Sequence, residues 1–239
     1  MNGSESRRVV VTGAARGIGA SLVERLLDHG DEVHATCRPT SDRAHLDALA
    51  QAMPDRLHIH VVDVTVERGV ADLARALADR VDAVDLLINN AGVMTDGDTI
   101  RTLDPAALRR DHETNAIAPA VVTQALLPLL TRADQPIVAN MSSSFASLEL
   151  KSAQMPPRYA YSMSKAALNM LTKTLALELA GDGVTVVAIH PGWVRTGIGG
   201  PDAALSPAAS AAAVVDTIGA LDATSTGAFL TWDGRPLPW

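Results

Sequence analysis

The sequence predicts a doubly wound α/β fold, a parallel sheet of about seven strands with helices on both faces. Three observations carry that expectation. Short β-branched runs alternate with longer amphipathic stretches across the 239 residues, the pattern of repeated strand–helix–strand units. The strand candidates are apolar throughout, without the alternation of a half-exposed sheet, so both faces are expected to be covered. Residues that start and stop helices stand at the joints.

Val9-Val10-Val11 opens the series, and a glycine-rich turn leads from it into a helix over 18–29, with Gly30 as its stop. Residues 32–36 form the second strand and 41–52 the next helix. A third strand at 57–62, a helix over 66–80 and a fourth strand at 84–88 follow. Asp104-Pro105 supplies a cap and a first helical position for the stretch 105–130, which Pro119 is expected to kink or open. After a fifth strand at 137–139, the segment 145–158 contains Pro156-Pro157 and is too long for an ordinary connection, which marks it as functional. A helix over 159–180 with Gly181 as its stop, a sixth strand at 184–189, a helix over 207–220 and a short strand at Phe229-Leu230 follow. No linker or composition break divides these elements, so 1–239 is read as one domain.

Composition narrows the function. With 47% hydrophobic and 20% charged residues the chain is neither disordered nor collagen-like. Aromatic residues are only 3%, so Ala, Val, Leu and Ile must build the core. A net charge of −7 without a basic stripe argues against a nucleic-acid surface and against a polybasic membrane anchor. No apolar run approaches the ~18–20 residues of a membrane span. The stretch 1–8 is polar, unlike a secretion signal, and Cys37 is the single cysteine. The expectation is a soluble, cytoplasmic protein.

Directly after the first strand comes Thr12-Gly13-Ala14-Ala15-Arg16-Gly17-Ile18-Gly19, opening a helix. Glycines there permit a tight turn and close approach of a phosphate-bearing ligand to free helix N-terminal amides. Simple close packing would also account for them. The second strand ends at Thr36-Cys37-Arg38, where an acidic residue would bind a ribose 2′-hydroxyl. Arg38 stands there instead. With Arg16 it suits a 2′-phosphate, hence NADP(H) in preference to NAD(H), the alternative being a solvated surface arginine. Asn89-Asn90-Ala91-Gly92 closes the fourth strand with small and amide side chains. Tyr161 and Lys165, four apart on one helix face, stand out among only two tyrosines and three lysines. A neighbouring ammonium is expected to lower the pKa of a phenol and so suit it to proton transfer.

Together these residues resemble the short-chain dehydrogenase/reductase family over essentially the whole chain, from Thr12-Gly13 to Pro191-Gly192. The resemblance implies a Rossmann-type fold and nicotinamide-linked oxidoreduction. Tyr161 matches the acid/base, and Lys165 the residue that lowers its pKa and holds the nicotinamide ribose. Ser143, three after Asn140, matches the carbonyl-orienting serine, with Ser142 and Ser144 as neighbours. Asn115 matches the asparagine that holds a water in the proton relay. The cofactor set it implies is Gly13, Ala15, Arg16, Gly17, Ile18, Gly19, Arg38, the adenine-contacting pair Asp63 and Val64, and Asn90, Ala91 and Gly92. Tyr161 and Lys165 belong to it as well, as does the nicotinamide loop Pro191, Gly192, Val194 and Thr196.

Ser143 and Tyr161 are eighteen residues apart, more than is usual in the family, and the segment after Thr196 is short. Both features, with the tail 229–239, look like the C-factor and Sniffer-type carbonyl reductases. That subgroup implies an NADPH-linked carbonyl reductase, or alternatively a dinucleotide-binding signalling protein with little turnover. Met94, Phe145, Leu148, Met155 and Trp193 are apolar and suit the walls of a pocket for a mid-sized hydrophobic carbonyl or alcohol, although each would also serve as loop packing. His58 and His60 share a strand face but lack further metal ligands, so no metal is expected. Arg109-Arg110-Asp111 reads as a solvated helix face. A homodimer or homotetramer through the 105–130 and 159–180 helices is the expected assembly, with Pro238-Trp239 reaching a neighbouring copy.

Overall fold

Val9, Val10 and Val11 are completely buried, and the strand that carries them organises the sheet. The computed structural model describes residues 6–239; the first five residues of the polar 1–8 stretch lie outside the described residues. Seven strands run β1 (Arg8–Val11), β2 (Glu32–Cys37), β3 (Leu57–Val61), β4 (Leu86–Asn89), β5 (Ile137–Met141), β6 (Thr185–His190) and β7 (Phe229–Thr231). Their spatial order is β3-β2-β1-β4-β5-β6-β7, and every pairing is parallel. This is the Rossmann-like doubly wound sheet that the strand–helix alternation predicts.

Seven helices flank it: α1 (Gly17–Asp28), α2 (Ala44–Ala52), α3 (Glu67–Ala78), α4 (Pro105–His112), α5 (Ala118–Leu130), α6 (Tyr159–Glu178) and α7 (Pro207–Gly219). The two-residue period of the strands sorts the core. Val9, Val11, Val33, Ala35, Ile88 and Ile189 meet Leu22 and Leu26 of α1, Leu46 of α2 and Val214 of α7. Val10, Leu87, Val138 and Val186 point the other way, onto Leu73 and Leu77 of α3 and Val122 and Leu126 of α5. Each fully buried leucine contributes roughly 1.5–3 kcal/mol by leaving water. Aliphatic side chains therefore suffice for a core almost without aromatics.

Between the layers lies a buried polar chain. Asn89 Nδ2 donates to Asn140 Oδ1 at 2.9 Å and to Thr123 Oγ1 at 3.2 Å, and Asn140 Nδ2 donates to Thr172 Oγ1 at 2.9 Å. These bonds tie β4, β5, α5 and α6 in one register. The network fixes one arrangement of these elements, with Asn89 Oδ1 left without a partner among the described residues.

Several sequence expectations need correction. The 105–130 stretch opens locally, as expected, but ahead of Pro119. A π-helical turn, Glu113–Ile117, separates α4 from α5, and Ala118 N donates to the Glu113 carbonyl. Pro119 has no N–H to give the carbonyl of Asn115, four residues back, so the irregularity appears one turn before the proline. The α6 stop is Gly183 (φ 74°), not Gly181, because a 3₁₀ turn, Leu179–Asp182, extends the helix. Val84 and Asp85 precede β4; Asp85 instead pairs with Arg8, Oδ2 to Nε at 2.7 Å. Trp239 stacks on Phe229 of its own chain and accepts from Leu148 N at 2.8 Å. Asp104 accepts from Ala106 N ahead of Pro105, and Gly30 (φ 92°) follows α1, as the sequence predicts.

Candidate active site

The strand order reverses direction between β1 and β4, where Val11 pairs with Ile88. Crevices beyond the carboxyl ends of strands at such a reversal are where open α/β sheets take ligands. The glycine turn after β1 and the Asn89-to-Gly92 segment after β4 therefore stand side by side. Thr12 Oγ1 accepts from the Asn90 and Ala91 amides, and Asn90 Nδ2 donates to the Thr12 and Gly13 carbonyls. The turn leaves no room for a side chain at Gly13 or Gly19. A Cβ on Gly13 would lie 2.7 Å from Ala91 Cα, and one on Gly19 would lie 2.3 Å from the Gly13 carbonyl oxygen. At Gly17, the start of α1, a Cβ would come 3.2 Å from Thr196 Cγ2. The first turn and the 191–196 loop thus face each other across the α1 N-terminus. Ala15 and Ile18 are part-buried in this turn.

Arg16 and Arg38 are exposed, and neither guanidinium has a hydrogen bond or ion pair among the described residues. By contrast, Arg7 is engaged with Asp31, Arg8 with Asp85 and Arg43 with Asp47. Asp63 Oδ1 accepts from Thr65 N and Oγ1, which sets the turn after β3, and Val64 is buried beside it. Glycines that a Cβ would fill, a free helix N-terminus and two uncommitted cations together fit a phosphate-bearing dinucleotide.

Tyr161, Lys165, Ser143 and Asn115 come together where β5, α6 and the π-helical turn meet. All four are buried. Lys165 Nζ donates to the Met141 carbonyl at 2.8 Å and lies 3.7 Å from where a Cβ on Gly92 would stand. Burial lowers the ammonium to about 8, against the field of Asp111. The phenol departs from expectation. Burial raises the pKa of Tyr161, and the opposing influences are the Ser143 hydroxyl and the charge of Arg158 rather than Lys165. Desolvation dominates because a phenolate in this enclosed position loses its water. The group is consequently a protonated phenol at neutral pH.

The three serines separate cleanly. Ser142 donates to Asn169 Oδ1 at 2.6 Å, whereas Ser143 neighbours the phenol and accepts from Phe145 N. Ser144 begins a 3₁₀ turn. Asn115 is fully engaged through its side chain. Nδ2 donates to the Val93 carbonyl at 2.8 Å and to Ser164 Oγ at 2.9 Å, and Oδ1 accepts from Val93 N. It thereby latches the segment after β4 to α6.

Of the proposed pocket residues, Phe145 meets Tyr161 edge-on with ring centroids 6.2 Å apart, and Met94 Sδ accepts from Arg158 at 3.3 Å. Met155 is half-buried in the following loop. Leu148 is 83% exposed and Trp193 57%, its Nε1 donating to the Gly199 carbonyl. Neither packs as a closed wall here. Pro191 and Gly192 leave β6, with Gly192 at φ 87°, and Val194 is buried in a bridge to Leu205.

Two residues near the site escaped the sequence reading. Asp111 is not part of a solvated face. It is completely buried and accepts from Thr95 N and Thr95 Oγ1 at 2.9 Å. Its place four residues before Asn115, on the same helix face, was the available signal. Arg158, the residue before α6, carried no pattern that sequence spacing could expose. His58 and His60 lie beside His34, whose Nδ1 is 3.1 Å from His60 Nε2, at the sheet edge away from this cleft.

The chain is similar to known proteins in family and fold. The short chain dehydrogenase family pattern matches residues 7–204. The C-signal protein of Myxococcus xanthus is 38% identical over 167 residues, 69% of this chain and 99% of that one. An NADPH-bound carbonyl reductase from chicken fatty liver superposes with a TM-score of 0.92 at 35% identity, covering 99% of this chain and all of that one. Carbonyl reductase Sniffer of D. melanogaster gives 0.93 at 30% identity, over 98% of this chain and all of that one. No described helix is long and apolar enough to cross a membrane.

Proposed function

This chain belongs to the short-chain dehydrogenase family of oxidoreductases, and from that premise we propose that it is an NADPH-dependent carbonyl reductase acting on mid-sized, largely apolar aldehydes or ketones. The observation that carries the proposal is the convergence of Tyr161, Ser143 and Lys165 beside the cleft between β1 and β4. The preference for NADPH is supported by Arg16 and Arg38, both unpaired among the described residues, and by the carboxyl end of β2, where Thr36-Cys37-Arg38 offers no carboxylate. The NADPH found in the chicken reductase agrees with it.

When bound, the cofactor supplies hydride to the carbonyl carbon. Residues 13–19 and 90–92 would hold its phosphates and adjoining ribose, and Pro191, Gly192, Val194 and Thr196 its nicotinamide end. The chain's own work is the proton. Tyr161, kept protonated by burial, donates its phenolic proton to the carbonyl oxygen. Ser143 donates a hydrogen bond to the same oxygen, a contact that strengthens as negative charge develops there. The Lys165 ammonium, anchored on the Met141 carbonyl beside Gly92, would hold the nicotinamide ribose. Asn115 holds α6 and the segment after β4 at a fixed separation, so that acid and cofactor site keep their alignment.

Met163, Met170 and Leu177 recur every seven residues along α6 and are exposed, which supports assembly of copies through that helix. A second reading, a dinucleotide-binding regulatory protein with little turnover, is favoured by the likeness to C-signal. The test is NADPH and NADH consumption against a panel of aldehydes, ketones, diketones and quinones. Turnover that favours NADPH supports the reductase. Dinucleotide binding without turnover across the panel supports the regulatory reading.

A further inference from the structure

Arg158 has φ 45°, the one positive value among the described non-glycine residues. Glycine or asparagine would occupy that backbone more easily. Arg158 does not cap α6 with its side chain either. What distinguishes the residue is where its guanidinium goes. Cζ lies 5.1 Å from the ring centroid of Phe145, the same ring that meets Tyr161 edge-on. One aromatic ring therefore meets both a positive charge and the phenol. Nη1 donates to Met94 Sδ, a weak acceptor.

The guanidinium keeps capacity for an anion. Nε is buried beside Asp96 Oδ1, 3.1 Å away, and Nη1 faces Met94, but Nη2 makes no hydrogen bond among the described residues. Asp96 is 68% exposed, and such a carboxylate is a weak, screened partner. Lys151 adds a second cation 5.3 Å from the Phe145 centroid, its ammonium held by the Pro156 and Pro157 carbonyls. The other nearby acid, Asp98, is buried and accepts from Ala160 N at the start of α6. Arg158, not either aspartate, is the mouth charge that acts on the phenol.

We propose that Arg158 is a specificity-determining residue that receives a carboxylate on the substrate, so that the favoured substrates are carbonyl compounds bearing a carboxylate a short spacer away from the reducible carbon. A planar guanidinium with spare N–H donors suits bidentate pairing with a carboxylate, and Phe145 between the two ends suits a flat or apolar spacer. This inference rests on the reductase reading and adds a substrate class to it.

The test compares kcat/KM for 4-carboxybenzaldehyde with that for its neutral methyl ester, using NADPH and the full-length chain. Wild-type protein prefers the carboxylate. Arg158→Asn, whose side chain tolerates the left-handed backbone, lowers the carboxylate-to-ester ratio about 10- to 100-fold, the worth of a charge-assisted hydrogen bond, with the loss in KM. Arg158→Lys recovers part of the ratio. Turnover of both substrates with a ratio unchanged in Arg158→Asn overturns this assignment alone. Absence of turnover with either substrate overturns the reductase reading and this assignment with it.

Discussion

Acid should unfold this protein through three histidines that its structure keeps neutral. His34 lies completely buried on β2 and is lowered to about 3, by burial first and then by the charges of His60, His58 and Arg80. His60 is lowered to about 4 by burial, His58 and Arg80, and His190 to about 4 by burial alone. The sign follows from proton counts. Between the ordinary histidine value of about 6.5 and these depressed values, the unfolded chain binds protons that the folded chain refuses. Stability is thus intact above pH 6.5 and falls as pH drops toward 4. At pH 5 the solution is about 1.5 units below the unfolded histidine value, so each histidine left neutral costs about 2 kcal/mol of stability. His34 and His60 share a hydrogen bond and titrate as a pair, so the combined loss is about 4–6 kcal/mol. A domain's whole stability is roughly 5–15 kcal/mol. Urea unfolding followed by tryptophan fluorescence at pH 7.5, 6.0 and 5.0 measures the loss directly. The midpoint should fall steeply with little change in slope, and His190→Gln should remove about a third of the pH dependence. A loss below about 1 kcal/mol between pH 7.5 and 5.0 would refute the account of these histidines.

Three further outcomes bear on the cleft. Gly19→Ala forces a Cβ to within 2.3 Å of the Gly13 carbonyl oxygen and 2.6 Å of Asn90 Nδ2; NADPH affinity measured by fluorescence titration should weaken at least ~10-fold, because the turn must open. Arg38→Ala should lower kcat/KM with NADPH by about 10- to 100-fold and leave NADH nearly unaffected, since only the 2′-phosphate loses a charge-assisted partner. Asp111→Asn removes the charge that supports Lys165. The alkaline limb of kcat/KM, expected near pH 8 in the wild type, should then move to lower pH; an unmoved limb would mean that Lys165 titration does not govern it.

Most of the architecture was legible in the chain because it rests on short-range rules. Val9-Val10-Val11, the glycine turn and Asp104-Pro105 each specify their local structure, and parallel pairing follows from strand–helix alternation. Tyr161 and Lys165 were legible because helical spacing alone brings them to one face. What escaped depends on which distant segment folds over a residue. Asp111 looks solvated beside Arg109 and Arg110 until Thr95 returns to cover it. The phenol's pKa was expected to fall from proximity to an ammonium, yet enclosure raises it, and only the Ser143 hydroxyl and the charge of Arg158 oppose that rise. Gly181 resembles a helix stop, and only the continued 3₁₀ turn moves that role to Gly183. Arg158 is visible only through its φ and the ring it approaches, neither of which spacing reveals.

The central claim is that Tyr161 is the proton donor for carbonyl reduction, and Tyr161→Phe tests it with the smallest change available. NADPH binding and turnover should be measured on the same preparation, with a substrate the wild type reduces. The account predicts that binding is retained and turnover falls at least ~10²-fold, the scale of a lost general acid. Turnover within a few-fold of wild type, with binding equally intact, would contradict it.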